Sequence, residues 1–334
     1  MKISGSIYSN SKQELSTTIR DLEEHHIDML HVDCLDDESV FEDIKRIRAT
    51  TALPVDLHLI TSTPSKFQQH LDENPVDFLT LQFENLNGDS LPKSGFKKLG
   101  LALTSATSLE AFARYSDECD FVLLMATTPG KSGGEFNKEN FRRIREFRKK
   151  FPDKQIHVDG GVNAEVSFIL RNLGVHCAVS GSYLFTQKTV GSAVLGLKNA
   201  QTESHYRVAD FMHLLDETPS VSLAGLNLKS VLQSIEDSKM AFTAIVQLNG
   251  VLDGIISNAD VRKGMLKSIE NLSEIKVENL INSNPIVLKE DLTVTEMLHF
   301  IRQQTIPINF LPVINSNGIL TGSLTFNDLI KGEA

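Results

Sequence analysis

Over the first 200 residues, short apolar runs alternate with longer amphipathic stretches. The apolar runs are Ile3–Tyr8, Met29–Asp33, Val55–Ile60, Phe78–Leu81, Lys98–Leu103, Phe121–Met125, Ile156–Asp159 and Ala178–Ser180. Between them, segments 11–26, 137–150 and 163–173 carry a helical spacing of apolar positions, and Asn137 and Asn163 are placed to cap the last two. Apolar runs of this length, each followed by a helix, belong in a parallel sheet covered on its faces. Eight such units predict a closed (β/α)8 TIM barrel over 1–200; a doubly wound open sheet is the alternative. Segment 186–205 reads as a last helix followed by a polar linker.

Beyond the linker the pattern repeats itself. An ungapped register sets Gly250, Leu252, Gly254, Ser257, Asp260, Lys263 and Gly264 against Gly318, Leu320, Gly322, Thr325, Asp328, Lys331 and Gly332. Upstream, Pro219, Val221 and Leu232 match Pro285, Val287 and Leu298. Residues 205–334 therefore hold one α+β unit twice, at approximately 205–268 and 274–334. Each copy reads strand, helix, strand, turn, strand, helix. Neither is large enough to bury a comfortable core alone, so the two are expected to pack face to face about a pseudo-twofold axis.

Composition narrows the partners. With 334 residues, two or three domains are expected. A formal net charge of −10 argues against a nucleic-acid backbone or an anionic membrane as the main partner. Cys34, Cys119 and Cys177 lack metal-type spacing and read as buried thiols rather than a disulfide framework. The opening MKISGSIYSN has no apolar signal core and no segment is long enough to span a bilayer, so the cytoplasm is the expected compartment.

Polar residues interrupt the predicted strands at their C-terminal ends, where barrels of this kind build active sites. His31 and Asp33 are two apart on the second strand, Asp56 and His58 on the third, and Asp159 ends the seventh. Strand side chains alternate, so each pair shares a face. Two imidazoles and two of these carboxylates converging there suit a four-ligand metal. His157 shares the face of Asp159 but sits deeper and reads as a core residue. His25, His26, His70 and His213 read as surface or helix histidines.

Glycine-rich turns follow three successive strands: 125–136 (MATTPGKSGGEF), Gly160–Gly161 and Gly181–Ser182. Glycine lets backbone N–H groups crowd around a phosphate, and loops after the last two strands are a recurrent phosphate site in such barrels.

In order along residues 1–200, these elements resemble the ribulose-phosphate 3-epimerase family. The carrying residues are Ser6-Ile7-Tyr8-Ser9, His31-Val32-Asp33-Cys34-Leu35-Asp36, Asp56-Leu57-His58-Leu59-Ile60, Pro129-Gly130-Lys131-Ser132-Gly133-Gly134, Asp159-Gly160-Gly161 and Gly181-Ser182-Tyr183-Leu184-Phe185. The resemblance implies a ribulose-phosphate-binding type of barrel. It implies a divalent metal (zinc, iron(II) or manganese) on His31, Asp33, His58 and Asp159. It also implies epimerisation at carbon 3 of a ketose phosphate, with Asp33 and Asp159 carrying the proton on either face of the substrate. Ser6, His58 and the turns at Gly130, Ser132, Gly133, Gly134, Gly160, Gly161, Gly181 and Ser182 would hold the sugar phosphate. The chain departs from the family where Leu35 and Ile60 replace methionines and Gln82 replaces a strand-four histidine. These changes line the sugar end, so a hexulose 6-phosphate stands beside ribulose 5-phosphate as substrate. Cys34 alternates away from the site and reads as packing.

The repeat resembles a CBS-domain pair, on Gly254-Ile255-Ile256-Ser257-Asn258-Ala259-Asp260-Val261-Arg262 and Gly322-Ser323-Leu324-Thr325-Phe326-Asn327-Asp328-Leu329. That resemblance implies a dimerising sensor of AMP, ADP or ATP, with Ser257, Thr325 and Arg262 on phosphate and Asp260 and Asp328 on ribose; the alternative is that these residues only cap helices. The combined expectation is a homo-oligomeric, metal-dependent sugar-phosphate 3-epimerase with a nucleotide-sensing module. Against it stand a non-catalytic sugar-phosphate- and nucleotide-binding regulator, and a metal-free decarboxylase or synthase, which would want lysines where His31 and His58 stand.

Overall fold

The structure, a computed structural model, describes residues 1–198, 205–304 and 308–325. These residues divide into two compact units, one on each side of 199–204.

The first unit is the closed barrel. Its strands are β1 (Lys2–Ser6), β2 (Met29–Cys34), β3 (Val55–Leu59), β4 (Val76–Gln82), β5 (Phe96–Thr104), β6 (Phe121–Met125), β7 (Gln155–Asp159) and β8 (Cys177–Ser180). Each is parallel to the next, and β8 returns to β1 through pairs such as Gly5↔Ser180. All eight apolar runs form strands, and the open sheet is excluded.

The helices follow from amphipathic spacing. Glu139–Lys150 buries Phe141, Ile144 and Phe147, at i, i+3 and i+6, and leaves Arg148, Lys149 and Lys150 in its last turn, where cations complement the helix dipole. Ala164–Asn172 starts at Asn163, whose side chain accepts from the Val166 N–H at 2.9 Å. Asn137 acts differently from the cap expected of it. The helix begins two residues later, and Asn137 accepts from the Glu139 N–H in a preceding turn. Cys34, Cys119 and Cys177 are free and buried. Below the level of the candidate site, Phe121 packs edge-on to Phe78 and stacks on His157 with ring centroids 4.2 Å apart. His157 is thereby a floor residue, as its depth on β7 suggested.

The second unit contains the repeat. Strands β9 (His213–Leu214), β10 (Ser220–Ser222), β11 (Phe242–Val246), β12 (Leu252–Ser257), β13 (Leu288–Lys289), β14 (Phe310–Ile314) and β15 (Leu320–Thr325) form two sheets, β10-β11-β12 and β13-β14-β15-β9. His213, expected on the surface or a helix, is part-buried in strand β9. The copies match in detail. Phe242↔Ser257 and Phe310↔Thr325 open equivalent hairpins, and each hairpin shifts register at the matching place, Ile245/Val246 and Val313/Ile314. Their junction is symmetric as well. Leu252 N–H donates to Gly318 O and Leu320 N–H to Gly250 O, both at 3.0 Å. Phe242 stacks on its repeat equivalent Phe310 at 4.3 Å and 7°.

Because Phe242 is fully buried at that symmetric contact, Phe242→Ala is expected to destabilise this unit by about 3–5 kcal/mol. Urea denaturation followed by circular dichroism measures it, and a loss below about 1 kcal/mol would contradict a shared core.

Candidate active site

Alternation and register assemble the polar patch. In the β2–β3 ladder His31 sits opposite Asp56 and Asp33 opposite His58, so imidazole and carboxylate face each other in two alternate rungs, with Val32 and Leu57 between them. Asp159 enters at the C-terminal end of β7. His31, Asp56 and His58 are fully buried, while Asp33 and Asp159 keep 18% and 17% of their side chains exposed, which leaves the two carboxylates as the reachable groups.

His31 Nδ1 lies 2.9 Å from Asp56 Oδ2, and His58 Nε2 lies 2.8 Å from Gln82 Oε1. Both partners are acceptors, so those nitrogens carry the ring protons, and in the neutral rings the opposite nitrogens present lone pairs. Those nitrogens converge on Asp33 Oδ1, at 3.4 Å from His31 Nε2 and 3.2 Å from His58 Nδ1, with Asp159 Oδ2 3.9 Å from His31 Nε2. Among the described residues, His31 Nε2, His58 Nδ1 and Asp33 Oδ1 have no hydrogen-bond partner. Donor atoms of His31, His58 and Asp159 also lie within 4.8 Å of one another. Three lone-pair atoms buried against each other are costly unless positive charge lies between them. A nitrogen-and-oxygen donor set of this kind fits zinc, iron(II) or manganese.

The protein's own charges show the same tension. Burial opposes charge on His31, but Asp56 and Asp33 outweigh it and raise the imidazole pKa well above its usual range. Burial pushes Asp33 up, yet the two histidines hold it well below the carboxylate range. Asp159, with burial dominant, is pushed up to about 6. Burial lowers His157 to about 3, so it is neutral in the floor. A divalent cation would be the largest charge here and would override these values.

Above the patch is a cavity of about 100 Å³ whose wall includes Asp33 and Asp159 together with Ser6, Gly130, Ser132, Gly133, Gly160, Gly161, Gly181 and Ser182. Of the residues expected on the substrate, His58 lies buried beneath this wall, and Gly134 stands behind it against Thr127. Tyr8 and Ser9 line the cavity without having been singled out. Ser132 Oγ donates to Ser9 Oγ at 3.0 Å and Ser9 Oγ to Ser6 Oγ at 3.2 Å, a hydroxyl chain along one side. The only sequence signal for it was the Ser-Ile-Tyr-Ser pattern. Asp56 and Gln82 were also missed as orienting groups, because their partners depend on strand register. A wider, open depression at the N-terminal ends of β3–β5 is lined by Arg48, Asp77 and Lys97. Its charges already pair, Arg48–Asp77 at 2.8 Å and Lys97–Asp77 at 2.7 Å, which marks it as structural.

In the second unit, Ser257 and Asp260 form a capping box on helix Asn258–Lys267. Ser257 N–H donates to Asp260 Oδ2 at 3.0 Å, and Ser257 Oγ to the same oxygen at 2.6 Å. They cap, and with Arg262 they also line a cavity that reaches Asn282, Asn284 and 308–311. Thr325 ends β15; Asp328 lies outside the described residues.

Gly160 has φ +108°, and a Cβ there would lie 2.7 Å from Thr127 N and closer still to Thr127 Oγ1. Gly160→Ala is therefore expected to cost about 1–3 kcal/mol through forced backbone strain. Thermal unfolding checks this, and an unchanged midpoint would contradict the packing of the 126–137 segment against that turn.

The model of the ribulose-phosphate 3-epimerase family matches residues 2–185, and that of the CBS domain matches 277–333. Ribulose-phosphate 3-epimerase of Methanocaldococcus jannaschii is 29% identical over 61% of this chain and 92% of its own length. The Bacillus subtilis enzyme of the same name is 27% identical over 60% of this chain and 100% of its own. Among solved structures, a CBS domain-containing protein from Bacillus anthracis is 24% identical, covering 38% of this chain and 92% of that one, with a TM-score of 0.34. Among the described residues no helix is long and apolar enough to cross a membrane. The chain belongs to the ribulose-phosphate 3-epimerase family of carbohydrate epimerases and carries a CBS domain behind its barrel.

Proposed function

We propose that the barrel, residues 1–200, is a divalent-metal-dependent 3-epimerase of a ketose phosphate, with ribulose 5-phosphate and xylulose 5-phosphate as its substrate pair. The observation that carries this reading is one cavity bounded by two carboxylates, Asp33 and Asp159, from strands β2 and β7, directly above the unpartnered His31 Nε2 and His58 Nδ1. Epimerisation removes a proton alpha to a carbonyl and returns it to the other face of a planar enediolate. Asp33 takes the proton from one face and Asp159 donates on the other, with roles exchanged in the reverse direction. His31, Asp33, His58 and Asp159 would hold a divalent cation, which would supply Lewis-acid stabilisation of the charge developing on the substrate. Ser6 and its hydroxyl chain orient the sugar. The turns at Gly130–Gly134, Gly160–Gly161 and Gly181–Ser182 offer backbone N–H groups to the phosphate.

In the same reading, residues 205–334 sense an adenine nucleotide. The cavity beside Ser257 and Asp260 supports this, because Arg262 and Lys263 on its wall offer cationic partners for phosphate.

Incubation with ribulose 5-phosphate in deuterium oxide, followed by NMR of carbon 3, tests the epimerase. Metal-loaded protein should exchange the carbon-3 hydrogen and build up xylulose 5-phosphate, and Asp159→Asn should lower the rate by about 100-fold or more. No exchange with pentulose or hexulose phosphates would refute the reading. Asp56→Asn removes the anionic partner of His31 Nδ1, so affinity for a divalent cation should fall by about 10–100-fold in equilibrium dialysis. Unchanged affinity would contradict the assigned tautomer of His31.

A further inference from the structure

The two histidines of the site are oriented by different means. His31 meets a carboxylate, Asp56, directly. His58 meets a neutral amide, Gln82, which could present either its oxygen or its nitrogen. One neighbour removes that choice. Gln82 Nε2 donates to Glu84 Oε2, and an ionised carboxylate only accepts. Glu84 is itself committed: its Oε1 accepts from Thr104 N–H and Thr104 Oγ, each at 2.9 Å, and from Thr107 Oγ. Reversing the Gln82 amide would set its oxygen against the Glu84 carboxylate and its N–H₂ against His58 Nε2. The chain therefore has one direction, running from the end of β5 and the turn after it, through Glu84 and the end of β4, to the ring on β3.

We propose that Gln82, locked by Glu84, is the positioning residue that holds the proton of His58 on Nε2 and its lone pair on Nδ1, aimed at Asp33. Neither residue touches the cavity wall, so both act through His58. The functional consequence rests on the cation site proposed above; the tautomer itself does not. Gln82→Leu removes the acceptor. Glu84→Gln keeps the shape but puts a donor beside Gln82, which frees the amide to reverse and lets the proton move to Nδ1.

The test is long-range ¹⁵N–¹H NMR of the full-length, metal-free chain labelled in histidine nitrogen, at mildly alkaline pH, with the His58 signals identified from a His58→Gln spectrum. Wild-type protein should show His58 protonated on Nε2 alone. Gln82→Leu and Glu84→Gln should each show a mixture of tautomers, with circular dichroism matching wild type, and equilibrium dialysis should show zinc affinity about tenfold weaker or more. Glu84→Gln, being isosteric, stands as the test if Gln82→Leu does not fold. A His58 tautomer unchanged in the folded variants would overturn the proposal. A tautomer that shifts in the variants, in a chain whose wild-type form takes up no zinc, would uphold the positioning role and refute the cation site instead.

Discussion

Three buried lone pairs that face one another govern this barrel. His31 Nε2, His58 Nδ1 and Asp33 Oδ1 lie within 3.4 Å and 3.2 Å across the two contacts with Asp33, and none is satisfied by another described residue. Desolvated acceptors in that arrangement repel one another, and leaving them bare costs on the order of 1–3 kcal/mol each. The Asp56 and Asp33 carboxylates raise the pKa of His31, so a second proton on that ring would offset part of this repulsion. A cation at the centre would relieve all of it. The surroundings are arranged to keep those lone pairs bare: Asp56 takes the other nitrogen of His31, and Gln82, fixed by Glu84, takes the other nitrogen of His58.

The scaffold makes such a cluster affordable. Parallel strands place residues two apart on one face, and the β2–β3 register brings two such pairs into facing rungs. Beneath them, Phe78, Phe121 and neutral His157 pack ring against ring as an aromatic floor. Above them, glycines at positive φ let the 126–137 segment close against the β7 turn, so that the carboxylates of Asp33 and Asp159 open into a small polar cavity rather than bulk solvent.

Much of this was legible in the chain. Eight apolar runs gave eight strands because a fully covered parallel strand must be apolar along its length. His31, Asp33, His58 and Asp159 stood out because polar residues at strand ends break that pattern. The Gln82–Glu84–Thr104 chain did not stand out. It links β3, β4 and the end of β5 through side chains whose partners exist only once the register is set, and Gln82 read simply as a replaced histidine. Asn137 has the side chain of a helix cap but serves the turn before the helix, where its Oδ1 accepts from the Glu139 N–H. The repeat was clear from glycine spacing, and its pairs Gly250/Gly318 and Phe242/Phe310 meet at the symmetric junction. Ser257 and Asp260 form the capping box that the helix-cap reading expected, and they also line a cavity.

The central claim is that the buried lone pairs form a cation site. Anomalous X-ray diffraction from crystals grown with zinc, collected on both sides of the zinc edge, tests it most directly. The account predicts one anomalous peak per chain, within bonding distance of His31 Nε2, His58 Nδ1, Asp33 and Asp159. No peak there, with His31 and His58 instead hydrogen-bonded to Asp33, would contradict it.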